Sequence, residues 1–204
     1  MQHGGLVLHR AALYDFTVGV MTLGRERAFR EKLLGLARLA PGESVLDVGC
    51  GTGTLAIAAK RQVGPQGAAA GIDASLEMIA RAERKARKAN VEIAFKTALA
   101  QALPFPDAQF DAVLTTVMLH HLPRPGRQQC AREMRRVVKP DGVVLAVDFG
   151  KAAPTHRGFL TYFHRHGHVD LGDIAALLRD AGLDIVDSGA VGMHGLQFVL
   201  GRPR

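Results

Sequence analysis

The chain has 204 residues, 48% of them apolar, and a formal charge of +7. That length suits one domain burying about 70% of its unfolded surface, and two cysteines, Cys50 and Cys130, disfavour a disulfide framework or a zinc cluster. No apolar run approaches the roughly 18 residues of a membrane span and the N-terminus shows no apolar signal core, so a cytoplasmic protein is expected.

The segment from Arg10 to Thr22 is mixed, with Tyr14-Asp15-Phe16 inside an otherwise apolar stretch. Arg25–Leu39 has the helical spacing of Phe29, Leu33, Leu36 and Ala37, and Pro41-Gly42 ends it. A short strand over Ser44–Val48 then runs into Gly49-Cys50-Gly51-Thr52-Gly53, and a helix follows over Thr54–Gln62. Glycine at every second position permits positive φ and close approach of a ligand to the backbone. The helix start directs free N–H groups and the positive dipole end into that turn, which favours a bound carboxylate or phosphate. The dinucleotide fingerprint needs a third glycine where this chain has Thr54.

A second strand, about Ala69–Asp73, ends on a carboxylate, and Ser75 caps a helix closed by Asn90. Asp73 can accept both hydroxyls of a ribose or act as a helix cap. In that helix Glu77 precedes Arg81, and Glu83 precedes Arg87, at the spacing of solvated ion pairs. The run Arg84-Lys85-Ala86-Arg87-Lys88 therefore reads as a water-facing side near the helix end. This accounts for much of the positive charge. With no interleaved aromatic pattern, nucleic acid is not expected as a partner, whereas peripheral membrane contact through the basic surface stays open.

Val91–Phe95 is read as a third strand and Phe110–Thr116 as a fourth, after the turn-rich Leu99–Asp107. Past the fourth strand comes Met118-Leu119-His120-His121-Leu122-Pro123, then a helix over Arg127–Val138, a turn at Lys139-Pro140-Asp141-Gly142 and a fifth strand over Val143–Asp148. The pattern breaks between Gly150 and Asp170, where Tyr162, Phe163, His164 and His166 crowd together. Gly172–Ala181 is a helix, and Asp184–Ser188 and Gln197–Leu200 are strands joined too closely for a crossover, hence antiparallel. The alternation predicts an α/β fold: a Rossmann-like, seven-stranded, mainly parallel sheet with helices on both faces and a C-terminal antiparallel hairpin.

Asp47-x-Gly49-x-Gly51-x-Gly53, Asp73, Leu103-Pro104-Phe105-Pro106-Asp107, the strand Phe110-Asp111-Ala112-Val113 with His120-His121-Leu122, and Arg136-Val137-Val138-Lys139-Pro140-Asp141-Gly142 together resemble a class I S-adenosylmethionine (SAM) dependent methyltransferase. Within that superfamily the chain is most similar to the ubiquinone/menaquinone-biosynthesis C-methyltransferase group (methyltransferase type 11); Tyr14-Asp15, Met21, Gly24 and a basic helix match that group's N-terminal segment. The resemblance implies SAM as methyl donor and S-adenosylhomocysteine as product. It places the methionine and sugar portions at Gly49, Cys50, Gly51 and Gly53, with Asp47 ordering the loop or reaching the amino group through water, and the ribose at Asp73. Ala74, Met78, Leu99 and Ala100 would border the adenine. Two positions depart from the group: Ala98-Leu99-Ala100 stands where Gly-Asp-Ala is common, and Val18 where an Asn follows the Tyr-Asp pair.

His120, His121 and Tyr14 are the candidate catalytic groups, because histidines at the C-terminal end of the fourth strand lie where open α/β sheets form their ligand crevice. His164, His166 and His168 alternate as metal ligands could, but a covering segment or an anion site accounts for them equally, and no metal is expected. Residues 1–40 would form a helical segment contributing to a lid, together with Tyr162 and Phe163, over a SAM-binding domain at 41–204. The expected reaction moves the sulfonium methyl to O, N or C of a small-molecule or lipid-like acceptor. Phospholipid head-group N-methylation and a non-catalytic SAM-binding regulatory module are the alternatives; the oligomeric state is left open.

Overall fold

A computed structural model of the chain describes residues 26–150, 170–192 and 195–204. In chain order the elements are α1 (Glu26–Ala37), β1 (Ser44–Val48), α2 (Thr54–Val63), β2 (Ala68–Asp73), α3 (Leu76–Lys88), β3 (Ala94–Thr97), β4 (Phe110–Thr116), a 3₁₀ turn (Leu119–His121), α4 (Arg124–Val137), β5 (Val138–Phe149), α5 (Leu171–Asp180), β6 (Leu183–Ala190) and β7 (Leu196–Pro203). The strands form one seven-stranded sheet in the order β3-β2-β1-β4-β5-β7-β6. β1 to β5 are parallel, and β7 is antiparallel to both β5 and β6. The Rossmann-like α/β architecture with its closing antiparallel hairpin is the one the sequence predicts.

Two cores sandwich the sheet. On one face Leu46, Val113, Val144 and Ala146 pack against Cys130 and Met134 of α4 and Ile174 and Leu178 of α5. On the other face Val45, Leu114, Leu145 and Val147 meet Leu33 and Leu34 of α1 and Ala59 and Val63 of α2. The strands of such a sheet are buried on both sides, which is why they read as continuous apolar runs. Burial pushes the Cys130 thiol up to about 12, so it is an unreactive core group.

Several boundaries differ from the sequence reading, β6 and β7 being longer than expected. The third strand is Ala94–Thr97 rather than Val91–Phe95: it is an edge strand with mostly exposed side chains, so burial writes little pattern into it. α4 starts at Arg124 with Pro125 in its first turn, where the missing N–H costs nothing, and ends at Val137, whereas Val138 already pairs with Phe110. Lys139–Gly142 is a bulge inside β5, not a turn ahead of it: Phe110 faces Val138, and the ladder resumes with Ala112 facing Val143. A Cβ on Gly142 would lie 2.7 Å from Asp111 O, so the bulge closes tightly only around glycine.

Arg136 on α4 secures the loop that follows β3. It donates to Leu103 O at 3.0 Å, Phe105 O at 2.8 Å, Asp107 Oδ1 at 2.8 Å and both Glu133 oxygens, while Leu103 N–H donates to Glu133 Oε2 at 2.7 Å. Contact with Arg136 holds the Glu133 carboxyl below its ordinary value. Replacing Arg136 with Met removes charge-assisted bonds and leaves loop carbonyls without that donor. We expect a loss of about 2 kcal/mol in urea denaturation, with faster amide exchange at Leu103.

Candidate functional site: the glycine turn and the histidine turn

β1 enters the site as a buried strand whose last polar side chain, Asp47, is 2% exposed. The chain then turns through Gly49, Gly51 and Gly53, at φ +76°, +52° and +76°, a region that penalises any side chain. Space makes the same demand. A Cβ on Gly49 would run into Met118 Cγ, and one on Gly53 would lie 2.7 Å from both Ala82 Cβ and Phe95 Cζ. Gly53 caps α2 with no side-chain hydrogen bond and no acid in the helix's first turn. Backbone N–H groups and the positive helix end thus face the turn.

Asp73, at the end of β2, organises that turn. Its Oδ2 accepts from Gly51 N–H at 2.9 Å and its Oδ1 from Ser75 N–H at 2.9 Å. Ser75, not Asp73, caps α3: its hydroxyl accepts from Met78 N–H at 3.3 Å. Burial raises the Asp73 carboxyl above its ordinary value against the pull of the Ser75, Gly51 and Ala74 N–H groups. Asp47 is the less satisfied acid. Burial pushes it up to about 7, the charge of Asp73 adds to this, and the Ala56 N–H and Arg30 oppose it. Its Oδ2 has no hydrogen-bond partner. A buried carboxylate oxygen left open beside a glycine cradle fits a ligand that brings an ammonium group.

Ala74 is exposed, Leu99 is 41% exposed and Ala100 is 8% exposed. Leu99 closes a turn with Ala102, while Ala98 N–H donates to Asp73 O at 3.0 Å. An exposed leucine beside Asp73 gives an apolar flank for a flat ring where an acid would otherwise stand. Leu76, at the start of α3, is 72% exposed. Met78 is 3% exposed and faces the core, and Cys50 is 8% exposed, its thiol raised well above its ordinary value by burial and by Asp47 and Asp73.

One charged residue is misplaced by the sequence reading. Arg87 and Lys88 are exposed, but Lys85 is half-buried and donates to Thr52 Oγ1 at 2.7 Å and Thr54 Oγ1 at 3.2 Å. The basic run is therefore not uniformly solvent-facing.

Across the turn stands a second group. Val117 takes φ +53°, an uncommon conformation for a β-branched residue, and turns the chain sharply out of β4. Met118 tucks beneath Gly49, and His120 follows in the 3₁₀ turn. His120 Nδ1 lies 2.7 Å from Asp148 Oδ1, and its own N–H donates to Asp148 Oδ2 at 3.1 Å. Phe149 N–H donates to Asp148 Oδ1 at 2.8 Å. The His120 side chain is 9% exposed and that of Asp148 is fully buried. A carboxylate only accepts, so Nδ1 carries a proton, and in the neutral imidazole Nε2 then presents a lone pair. The His121 ring packs on His120 at 3.9 Å between centroids. Arg127 holds the turn from α4 by donating to Leu119 O at 2.9 Å and Leu122 O at 2.8 Å.

Asp148 was not singled out in the sequence. It lies 28 residues from His120, and only the pairing of β4 with β5 joins them. Gln197 pairs with Asp148 in the antiparallel ladder, and its Oε1 is buried without a partner. Tyr14 and His164, His166 and His168 lie outside the described residues, and among the described residues no cluster could hold a metal ion.

Asp47 makes a pH-dependent contribution with a definite sign. Its folded pKa, about 7, lies above the ordinary carboxyl value near ~4. Between these limits the folded chain keeps a proton that the unfolded chain has lost, so this group's contribution to stability falls as pH rises through the window. Urea midpoints of wild type and Asp47→Asn should diverge from pH 5 to pH 8 in favour of Asn; parallel curves would contradict the assignment.

Comparison with known proteins agrees with the geometry. Residues 45–142 match the family pattern described as a methyltransferase domain. The demethylmenaquinone methyltransferase of Lactobacillus johnsonii is 37% identical over 133 residues, 64% of this chain and 54% of that protein. The ubiquinone/menaquinone biosynthesis C-methyltransferase UbiE of an Enterobacter species is 29% identical over an alignment covering 90% of this chain and 85% of the relative. Among the higher-identity relatives, the match with the Lactobacillus protein spans only about half of that protein's length. A crystal structure of a SAM-dependent methyltransferase from Aquifex aeolicus superposes with a TM-score of 0.73 at 25% identity, covering 84% of this chain and 88% of that one. The glycine turn, the sheet order and the matched domain are of the class I SAM-dependent methyltransferase type, and the chain is similar within that type to the ubiquinone/menaquinone C-methyltransferases.

Proposed function

We propose that this protein methylates a small phenolic or quinol-like acceptor, at a ring carbon or a hydroxyl, with His120 as the general base. The observation that carries this reading is the buried Asp148–His120 pair, with Asp148 near the C-terminal end of β5 and His120 beyond that of β4, two residues from the Met118 that packs under the glycine turn. SAM, when bound, supplies an electrophilic methyl on a sulfonium.

The chain's own residues divide the remaining work. Asp47 Oδ2 takes the ammonium of the methionine portion, Gly49, Cys50, Gly51 and Gly53 offer backbone groups, and Asp73 accepts ribose hydroxyls with lone pairs its two backbone bonds leave over. Ala74, Leu99 and Ala100 border the adenine. Met78, placed in the core, supports α3 from behind. His120 Nε2 removes a proton from a hydroxyl of the acceptor, which raises electron density on the oxygen and on the ring carbons conjugated with it. Asp148 fixes the tautomer that makes this possible, and His121 packs against the ring. Gln197 Oε1, buried and unsatisfied beside Asp148, favours an acceptor with a second hydrogen-bond donor.

Two relatives are a demethylmenaquinone methyltransferase and a ubiquinone/menaquinone biosynthesis C-methyltransferase. Those names support a quinol-type ring here. A departure from such acceptors is compatible with the same site, because a His–Asp pair suits any hydroxyl-bearing acceptor. Residues 1–40, Tyr14 among them, and the segment after Gly150 would cover the acceptor in this reading. α1 itself packs into the core, so the covering part would be the stretch ahead of it. No helix among the described residues is long and apolar enough to cross a membrane; a lipid-like quinol would be met at a membrane surface from the cytoplasm, which the basic charge assists.

The test uses labelled SAM with 1,4-dihydroxynaphthalene as acceptor. His120→Ala should lower kcat by about 10²- to 10⁴-fold while leaving SAM affinity within about twofold. Asp148→Asn should lower kcat less and move the acidic limb of the pH–rate profile, the limb set by protonation of the base, to lower pH. Transfer that survives in His120→Ala would remove the base assignment, and the absence of transfer to any hydroxyl-bearing ring would remove the acceptor class.

A further inference from the structure

The three residues Gly51, Thr52 and Gly53 are fastened to different parts of the fold. Gly51 N–H is bonded to Asp73 on β2, Gly53 N–H is bonded within the turn to Cys50 O at 2.9 Å, and the Thr52 hydroxyl is bonded to Lys85 on α3. Thr52 is 2% exposed. The Thr52 and Thr54 hydroxyls stand 3.4 Å apart, and the Lys85 ammonium lies within hydrogen-bond reach of both.

The start of α2 is already the positive end of its dipole and has no acid in its first turn. An ammonium drawn half-way into the protein at that point loses hydration and meets an unfavourable field. The bonds from Lys85 to the Thr52 and Thr54 hydroxyls run from the third turn of α3 into the glycine turn.

We propose that Lys85 is a positioning residue for SAM: it sets the orientation of the Gly51-Thr52-Gly53 peptides by holding the Thr52 and Thr54 hydroxyls from behind. The cradle binds through backbone groups, whose direction depends on φ and ψ of those residues. A turn with three positive-φ glycines has little stiffness of its own. Fastening Thr52 to α3 reduces the freedom that cofactor binding would otherwise have to freeze out. Lys85 thus acts through Thr52 rather than by touching the cofactor.

The test is a double-mutant cycle on SAM affinity by calorimetric titration, with thermal melts to establish folding. Lys85→Met and Thr52→Val should each weaken SAM binding about tenfold, and the double variant should be no weaker than the poorer single, because both break one link. Lys85→Arg, which keeps the charge and donors, should stay within about threefold of wild type. If Lys85→Met melts below the titration temperature, Lys85→Gln takes its place in the same cycle. Wild-type affinity in the neutral Lys85 variant, or penalties that multiply in the double variant, would overturn the proposal.

Discussion

The carboxylate of Asp73 is the point on which the site depends. It accepts from Gly51 N–H on one oxygen and Ser75 N–H on the other, so a single side chain at the end of β2 fixes the cofactor turn after β1 and the entry to α3. Since β1 and β2 are neighbours in register from Ser44–Ala68 to Val48–Ile72, the sheet delivers that carboxylate to its place. Gly49 and Cys50 N–H groups, both bonded to Ile72 O, extend the same seam by one step. All three glycines take positive φ, and at Gly49 and Gly53 the neighbouring Met118, Ala82 and Phe95 also leave no room for a Cβ.

The second half of the site follows from where the sheet order reverses. β1 lies between β2 and β4, and a crevice opens at such a switch point beyond the strand ends. β4 leaves that edge through the strained Val117, which places Met118 against the glycine turn and His120 against Asp148 of β5. The glycine turn and the proposed base are thus linked through Met118, which packs against Gly49 two residues before His120. The short path matters because in-line methyl transfer depends on placement more than on acid or base strength.

What could be read in the sequence was what is local. The glycine turn, the Ser75 cap and the apolar strands gave β1, α2 and α3 to within a residue or two, since each signal sits inside the element it specifies. β3 slipped because an exposed edge strand carries no burial pattern. The Lys139–Gly142 bulge was hidden because its residues have turn chemistry and only the partner strand shows that the ladder continues. Of the residues proposed for the site, Asp73 and His120 could be picked out from their positions at and beyond strand ends. Asp148 and Gln197 could not, because their roles come from strand neighbours distant in sequence. Lys85 was assigned to solvent because charge patterning records the helix face and not how far a four-carbon stem can reach.

The most direct test of the account is calorimetric titration of the wild-type protein and of Asp73→Ala with SAM, with NAD as the comparison ligand. The account predicts saturable one-to-one binding of SAM, none of NAD, and at least a tenfold loss of SAM affinity in a folded Asp73→Ala variant, on the order of 1.4 kcal/mol or more. A folded wild-type protein that fails to bind SAM, or an Asp73→Ala variant that binds it as well as wild type, would contradict it.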